Sequence, residues 1–354
     1  MIAQAMTPLH RRGWRTVLAN VVTDPKELYA LLNLPVPRRF ITDDSQTPFR
    51  LRVPRGYIAR MQVGDPTDPL LRQVLPIPAE ATQVSGYSFD PLKEMNTQTT
   101  PGLLSKYRGR VLLVMTGACA IHCRYCFRRH FPYGESSIGQ RHLIEVLAAL
   151  EADKSITEVI LSGGDPLTLD DSYLGEFVQH LEEIPHLTRL RIHTRLPIVI
   201  PERVDAELLS WLSATRLNPV VVVHVNHANE LTNDVAHALS AMRQSGATLL
   251  NQSVLLKGVN DNAAVLKDLS NRLFDANVLP YYLHMLDTVQ GAAHFEVDEA
   301  LARRLIEQIR AELPGYLVPR LAREIAMATT PVAVAGPAAA GDGRRGVRHP
   351  AGAG

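Results

Sequence analysis

The stretch VLLVMTGACAIHCRYCFRRHF, residues 111–131, connects an apolar run to all three cysteines of the chain. Its first six residues, Val111–Thr116, have the length and apolar character of a buried strand. Helical patterns separate this run from five similar ones that follow it. Six strand–helix units in series predict an α/β protein with parallel strands. The five later runs are Thr157–Ser162, Arg189–Thr194, Val220–Val225, Thr248–Leu256 and Leu279–Leu286.

The segments between the runs carry apolar residues at helical spacing. Leu266, Leu269 and Leu273, for example, recur at i, i+3 and i+7 before the last run, which is typical of an amphipathic helix. Thr168 and Asp171 have the spacing of a capping box, so we expect the second helix to begin there.

Such a repeat folds either as a doubly wound sheet or as a barrel. No GxGxxG motif follows the first run, so the dinucleotide-binding fold loses its usual support. We therefore predict a partial (β/α)6 barrel of TIM type, whose chemistry lies at the carboxyl ends of its strands. The cysteines follow the first strand directly and would lie at that mouth.

The two ends of the chain lack this rhythm. Residues 1–100 contain a helical pattern at Val21–Leu34 and then polar, proline-bearing stretches, and we expect a mainly helical accessory segment there. The barrel core is expected over residues 101–325. Residues 326–354 are rich in alanine, glycine and proline without periodicity, which predicts a disordered tail.

Composition excludes several classes of function. The net charge of +1 gives no overall electrostatic bias toward nucleic acid or a membrane surface. The longest apolar runs are far shorter than the roughly 18 residues that span a bilayer, and the N-terminus lacks the apolar core of a signal peptide. Clustered cysteines without partners suit a reducing compartment. We therefore expect a cytoplasmic protein.

Cys119, Cys123 and Cys126 have the spacing C-x3-C-x2-C, and no other cysteine occurs in the chain. Three thiolates can hold an iron–sulfur cluster while one iron stays open to a small molecule. Structural zinc is the alternative, with His122 or His130 as the fourth ligand. Reactive free thiols would explain neither the number nor the spacing.

The cysteine motif, with Tyr125 just before its last member, resembles the signature of radical S-adenosylmethionine (SAM) enzymes. The resemblance implies a [4Fe–4S] cluster whose open iron chelates SAM, which is cleaved to a 5′-deoxyadenosyl radical. Ser162, Gly163, Gly164 and Asp165 end the second strand. On their own they are an ordinary glycine turn, but in this family such a turn implies, together with the aromatic residue, contact with SAM.

Longer segments narrow the resemblance to the lysine 2,3-aminomutase family, and within it to the short bacterial branch linked to elongation factor P. The family moves the amino group of L-lysine from C2 to C3 with SAM, pyridoxal 5′-phosphate (PLP) and a one-electron reductant such as flavodoxin or ferredoxin. In this branch the (R)-β-lysine product is then attached to elongation factor P by a lysyl ligase. The segments include LSGGDP, RIHTRLPIVIPERV, NQSVLLKGVNDN, PYYLHMLD and GYLVPRLAREI.

The resemblance also assigns residues. Arg128 would hold the substrate carboxylate, which suits a planar guanidinium. Asp287 and Glu324 would receive the lysine ε-ammonium, and a glutamate at the second position is characteristic of the elongation-factor branch. Without the motifs these side chains would be ordinary surface or ion-pair residues. Three residues would surround PLP and its phosphate: Lys106, Tyr107 and Arg110.

One position departs from the family pattern. Thr329 stands where the lysine that anchors PLP is expected, and no lysine follows Lys267. Three interpretations remain open: the sequence changes frame near residue 326, PLP binds without a covalent anchor, or Lys257 replaces the missing residue. The alternative function is a PLP-independent or inactive radical SAM homologue.

Overall fold

The computed structural model of the chain describes residues 13–37, 49–96, 98–136, 138, 140–325 and 332–334. Within these ranges, ten strands form one sheet in which neighbours in space are also neighbours in the chain. The strands are β1 (Gln98–Thr100), β2 (Leu103–Tyr107), β3 (Arg110–Thr116), β4 (Glu158–Gly163), β5 (Arg189–Thr194), β6 (Asn218–Val223), β7 (Thr248–Val254), β8 (Leu279–His284), β9 (Arg320–Arg323) and β10 (Val332–Ala333).

Strands β3 to β9 run parallel, whereas β1, β2 and β10 pair antiparallel with their neighbours. The six predicted strands correspond to β3–β8, and their ends differ by no more than two residues; Val220–Val225, for example, was expected where Asn218–Val223 is found. The seventh parallel strand, β9, was not expected. Its four residues, RLAR, are too short and too polar to show a buried run.

The sequential strand order decides between the two predicted architectures. A doubly wound sheet reverses its strand order at a switch point, and this sheet does not. The sheet also curls: the Tyr107 hydroxyl, at the end of β2, donates to Glu324, just past β9, at 2.8 Å. The partial barrel is therefore confirmed.

Helices cover the barrel because their apolar faces must be buried. In Ala263–Asp275 the buried residues include Leu266, Leu269 and Leu273, as their spacing predicts. The other helices are Trp14–Ala19, Pro25–Leu31, Arg55–Ile58, Pro69–Arg72, Tyr133–Ser136, Gln140–Ala152, Asp171–Glu182, Leu196–Val199, Ala206–Ala214, Asn233–Gln244 and Glu299–Glu312.

The accessory segment shares the barrel's hydrophobic core. Trp14, Leu28 and Tyr57 belong to the same buried cluster as the barrel strands and helices. The helix expected over Val21–Leu34 is shorter, Pro25–Leu31, because Val22 instead pairs as a β-bridge with Val53. The predicted tail lies almost wholly outside the described residues. No helix in the described ranges is both long and apolar enough to cross a bilayer.

Candidate functional site

The three cysteines line one cavity of about 650 Å³ at the carboxyl ends of the parallel strands. Cys119, Cys123 and Cys126 are free thiols in the loop after β3. Burial raises the pKa of Cys126 to about 11 and that of Cys119 well above its usual range. Positive charge from a bound metal would favour the thiolate forms of Cys119 and Cys126.

The accessory segment holds the cysteine loop through its backbone. Arg52 donates from Nε to the Cys119 carbonyl at 2.8 Å, and the His122 amide donates to the Arg52 carbonyl at 3.0 Å. The Arg124 amide donates to the carbonyl of Gln73 at 2.8 Å. The thiols are therefore positioned by residues that precede the barrel.

The donor set fits an iron–sulfur cluster with three protein ligands. The two histidines considered as a fourth zinc ligand each place one ring nitrogen near a backbone carbonyl: His122 Nδ1 lies 2.7 Å from that of Arg50, and His130 Nε2 lies 3.1 Å from that of Gln290. Among the described residues, no group of three or more histidine, cysteine or acidic side chains is close enough to hold a single metal ion.

The glycine turn after β4 packs directly on the cysteine loop. A Cβ on Gly164 would lie 2.4 Å from the Ala118 carbonyl oxygen, and one on Gly163, whose φ is +119°, would lie 2.5 Å from that of Thr116. The Gly164 amide donates to Thr116 at 2.7 Å. The two glycines are thus required for backbone packing, independently of any ligand. Ser162, Gly163, Gly164, Asp165 and Tyr125 all line the cavity.

Asp165 fixes the neighbouring strand end. Its carboxylate is buried and accepts the Thr194 hydroxyl at 2.7 Å and the amides of Arg195 and Leu196 at 2.8 and 3.0 Å. Burial raises the pKa of this carboxyl group, and these hydrogen bonds oppose the rise. Asp165 therefore ties the glycine turn to the loop after β5.

Arg128 is buried beside the cysteines with its guanidinium largely committed. Glu94 accepts from Nε and Nη2 at 2.7 and 2.9 Å, and Nη1 makes longer contacts with the Ser162 hydroxyl, at 3.1 Å, and the Gly163 carbonyl, at 3.4 Å. The sequence indicated Arg128 but not Glu94, because Glu94 lies 34 residues earlier in a segment without a clear pattern.

The residues expected around PLP and the substrate ammonium lie near the two edges of the sheet, which approach each other where the sheet curls. Tyr107, Arg110, Asp287 and Glu324 all line the cavity. Burial, reinforced by Glu324, raises the pKa of the Tyr107 phenol far above its usual range, so the phenol remains a donor. The Arg110 guanidinium lies 4.3 Å from the Tyr107 ring centroid. Among the described residues no carboxylate pairs with Arg110, which fits a site for a phosphate group.

Of the two positions considered for the lysine that anchors PLP, Thr329 and Lys257, the structure describes only Lys257. Thr329 lies outside the described residues, as does the side chain of Lys106, whose backbone belongs to β2. Lys257 is exposed and does not line the cavity, so the geometry does not support it as a replacement anchor. None of the described cavity-lining residues is a lysine.

Sequence reasoning missed a group of buried polar residues behind the cysteines. Arg195 donates to the Cys123 sulfur at 2.7 Å. Nothing in local spacing signals this contact, because its partners come from distant parts of the chain. Burial also lowers the pKa of three cavity-lining histidines and keeps them neutral: His193, His224 and His284.

Comparison with known proteins agrees with this geometry. Residues 113–269 match the family model of the radical SAM superfamily. The L-lysine 2,3-aminomutase of Escherichia coli K12 is 50% identical over 316 residues, which cover 89% of this chain and 92% of that protein. The one from Haemophilus influenzae is 48% identical over 315 residues, covering 89% and 93%. The one from Clostridium subterminale is 33% identical over 308 residues, covering 86% and 74%. The chain therefore belongs to the L-lysine 2,3-aminomutase family of the radical SAM superfamily.

Proposed function

We propose that the protein is a radical SAM isomerase that converts L-lysine to (R)-β-lysine by moving the amino group from C2 to C3. The observation that carries this proposal is the make-up of one cavity, whose lining includes the three thiols, Arg128, and the carboxylates of Asp287 and Glu324. Lysine carries a carboxylate and a second ammonium, and each needs an opposite charge once it leaves water. The names of the relatives support the same activity.

Arg128 would hold the substrate carboxylate. Glu94 already accepts from the Nε and Nη2 donors of Arg128. The substrate carboxylate would therefore accept from Nη1 and replace its longer contacts with Ser162 and Gly163. In this arrangement Glu94 fixes the plane of the guanidinium. The substrate would then be oriented by one edge of a rigid group.

Asp287 and Glu324 would receive the ε-ammonium. The Tyr107 hydroxyl donates to Glu324 at 2.8 Å and holds that carboxylate in place. Two carboxylates are enough to compensate a buried ammonium, whereas a neutral lining would expel it.

The remaining cavity residues would hold the cofactors. When bound, the cluster with SAM supplies a carbon radical and PLP carries the migrating amino group. The chain's own part is to bind and orient these groups and to exclude water. Cys119, Cys123 and Cys126 would hold the cluster; Tyr125, Ser162, Gly163, Gly164 and Asp165 would surround SAM; Lys106, Tyr107 and Arg110 would surround PLP.

The test is an anaerobic assay of the reconstituted chain with L-lysine, SAM, PLP and a low-potential reductant. We expect β-lysine to form, and none to form with the Cys126→Ser variant. If cluster and PLP are both verified in the parent protein and β-lysine is absent, the proposal is wrong.

A second candidate is a radical SAM enzyme that does not use PLP. It is favoured by Thr329 at the expected anchor position and by the lack of a lysine among the described cavity-lining residues. In the same assay such a protein would release 5′-deoxyadenosine from SAM, yet would form no β-lysine and would carry no PLP absorbance band once unbound PLP has been removed. The same assay therefore separates the two candidates.

The finer assignments rest on the family resemblance. We propose that β-lysine is passed to a lysyl ligase that modifies elongation factor P, and Glu324 supports placement in that branch. Flavodoxin or ferredoxin would supply the electron, and the three free thiols suit a cytoplasmic location. We also propose the division into an accessory segment (1–100), a barrel core (101–325) and a tail (326–354). The proposed link to elongation factor P predicts that this enzyme and a lysyl ligase, acting together on L-lysine, modify elongation factor P.

A further inference from the structure

A buried arginine lies directly behind the cysteine loop. Arg195 follows β5, and its side chain is only 6% exposed. Its Nη1 donates to the Cys123 sulfur at 2.7 Å. Family membership implies that this sulfur is a ligand of the iron–sulfur cluster. The Arg195 guanidinium would then donate a hydrogen bond to a cluster ligand.

The position of Arg195 is determined from several directions. Asp165 holds its backbone amide at 2.8 Å, and Glu230, which is completely buried, accepts from its Nη2 at 2.8 Å. Since every one of these contacts is buried, the guanidinium cannot turn away from Cys123 without leaving polar groups unpaired. Its other acceptors are the hydroxyls of Tyr125 and Tyr57, at 2.7 and 3.1 Å, and the side-chain amide oxygen Oε1 of Gln73 at 2.8 Å.

We propose that Arg195 is a positioning residue that makes the iron–sulfur cluster easier to reduce, and that Glu230 limits this effect. Reduction adds one electron from an external low-potential donor and makes the cluster more negative. A nearby cation and an N–H group directed at a ligand sulfur stabilise the more negative state. The Glu230 carboxylate, bonded to the other terminal nitrogen, cancels part of that positive charge.

The test uses two variants whose effects have opposite signs. Arg195→Gln removes the cation and weakens the donor, so its cluster should have a more negative midpoint potential. Glu230→Gln keeps the shape but removes the negative charge, so its cluster should have a less negative one. We expect each reduction equilibrium to change about tenfold, which is 59 mV for one electron. The measurement is redox potentiometry followed by electron paramagnetic resonance on the full chain, reconstituted without PLP or lysine, with iron and sulfide contents matched.

A purely structural role for Arg195 predicts something different. It would lower the cluster content or stability of both variants and leave the midpoint of the assembled cluster unchanged. Midpoints equal to that of the parent protein, or shifts of the same sign, would overturn the proposal.

A third variant covers loss of folding. If Arg195→Gln does not retain a cluster, Arg195→Lys and Glu230→Gln decide the question. A lysine ammonium should pair with the completely buried Glu230 carboxylate and lose its contact with Cys123, so the lysine variant should also have a more negative midpoint. Unchanged midpoints in both would again overturn the proposal. Because the measurement involves no amino migration, its failure is distinct from a failure to produce β-lysine.

Discussion

The glycine turn and the cysteine loop can pack together only because Gly164 has no Cβ. Gly164 donates its amide to Thr116, and the next amide, of Asp165, donates to Ala118. Two backbones can make both bonds only if no side chain separates them. Since Ala118 immediately precedes Cys119, the packing of this one glycine sets the position of the first thiol.

Gly164→Ala should therefore damage both stability and cluster assembly. Its Cβ would lie 2.4 Å from the Ala118 oxygen, a backbone atom that cannot move alone. We expect a loss of about 1–3 kcal/mol in unfolding free energy, as for other overpacked sites, and a lower iron content per chain. Denaturant unfolding and iron analysis measure the two effects.

The matched control for this substitution is Gly56→Ala. Gly56 lies in the helix Arg55–Ile58, and a Cβ there meets no atom within 4 Å. That variant should be as stable as the parent protein or slightly more stable. Equal behaviour of the two variants would contradict the packing argument.

At the scale of an element, the start of the helix Asp171–Glu182 corrects the sequence prediction. The capping box expected from Thr168 and Asp171 is wrong: the N-cap residue is Asp170, and the Thr168 hydroxyl donates to the Asp165 carbonyl. The carboxylate of Asp171 instead accepts from Arg203 Nη2, at 2.8 Å. The same oxygen accepts from the Trp211 indole, also at 2.8 Å. Asp171 pairs with Arg203 instead of taking part in a capping box, because the charge of a buried arginine must be compensated.

Asp171→Ala should consequently be strongly destabilising. The Arg203 side chain is completely buried, and the substitution would leave its cation without its closest carboxylate. We expect a loss of about 3–5 kcal/mol in unfolding free energy.

The neighbouring Asp170→Ala serves as control. Asp170 is the N-cap residue, but its side chain accepts no capping hydrogen bond. It pairs with Arg15 at 2.7 Å, and both side chains are more than half exposed, so its loss should cost less than about 1 kcal/mol. Comparable losses for the two variants in denaturant unfolding would show that the buried pair is not decisive.

Elements and site differ in how far the sequence predicts them. Strand β5 was predicted with its observed ends, because a run of strand length stands between polar turns. The side-chain contacts of Arg195 join residues 35 to 138 positions apart, and the Arg128–Glu94 pair joins residues 34 apart. Such contacts have no local periodicity and could not be predicted. The cysteine motif could be recognised from the sequence, because its three members lie close together in one loop.

At the scale of the whole molecule, the accessory segment holds the cysteine loop of the barrel in place. Its Glu80 is buried between Arg124 and Arg129, which flank the last cysteine, with distances of 2.8 Å to Arg124 Nε and 2.6 Å to Arg129 Nη2. The two arginines need this carboxylate, since burial opposes their charge. The loop that would hold the cluster therefore depends on residues that precede the barrel.

The cavity also gives the whole fold a pH dependence. Burial, with Arg191 as the next cause, lowers the pKa of His193 to about 3, and burial lowers that of His284 to about 4. In the unfolded chain these imidazoles take up a proton below about pH 6.5. The unfolded state therefore binds more protons than the folded state between pH 6.5 and about 4, and folding stability falls as the pH falls through that range.

His193→Gln isolates this effect. At pH 5 the unfolded state gains about 2 kcal/mol from protonating one such histidine, and a glutamine removes that gain. We expect the stability of the variant relative to the parent protein to improve by about 2 kcal/mol between pH 8 and pH 5, whatever the cost of the substitution at pH 8. Denaturant unfolding of the cofactor-free proteins at both pH values measures this difference. A difference that does not change with pH would mean that His193 is protonated in the folded protein, and the cavity would then be more polar than its burial implies.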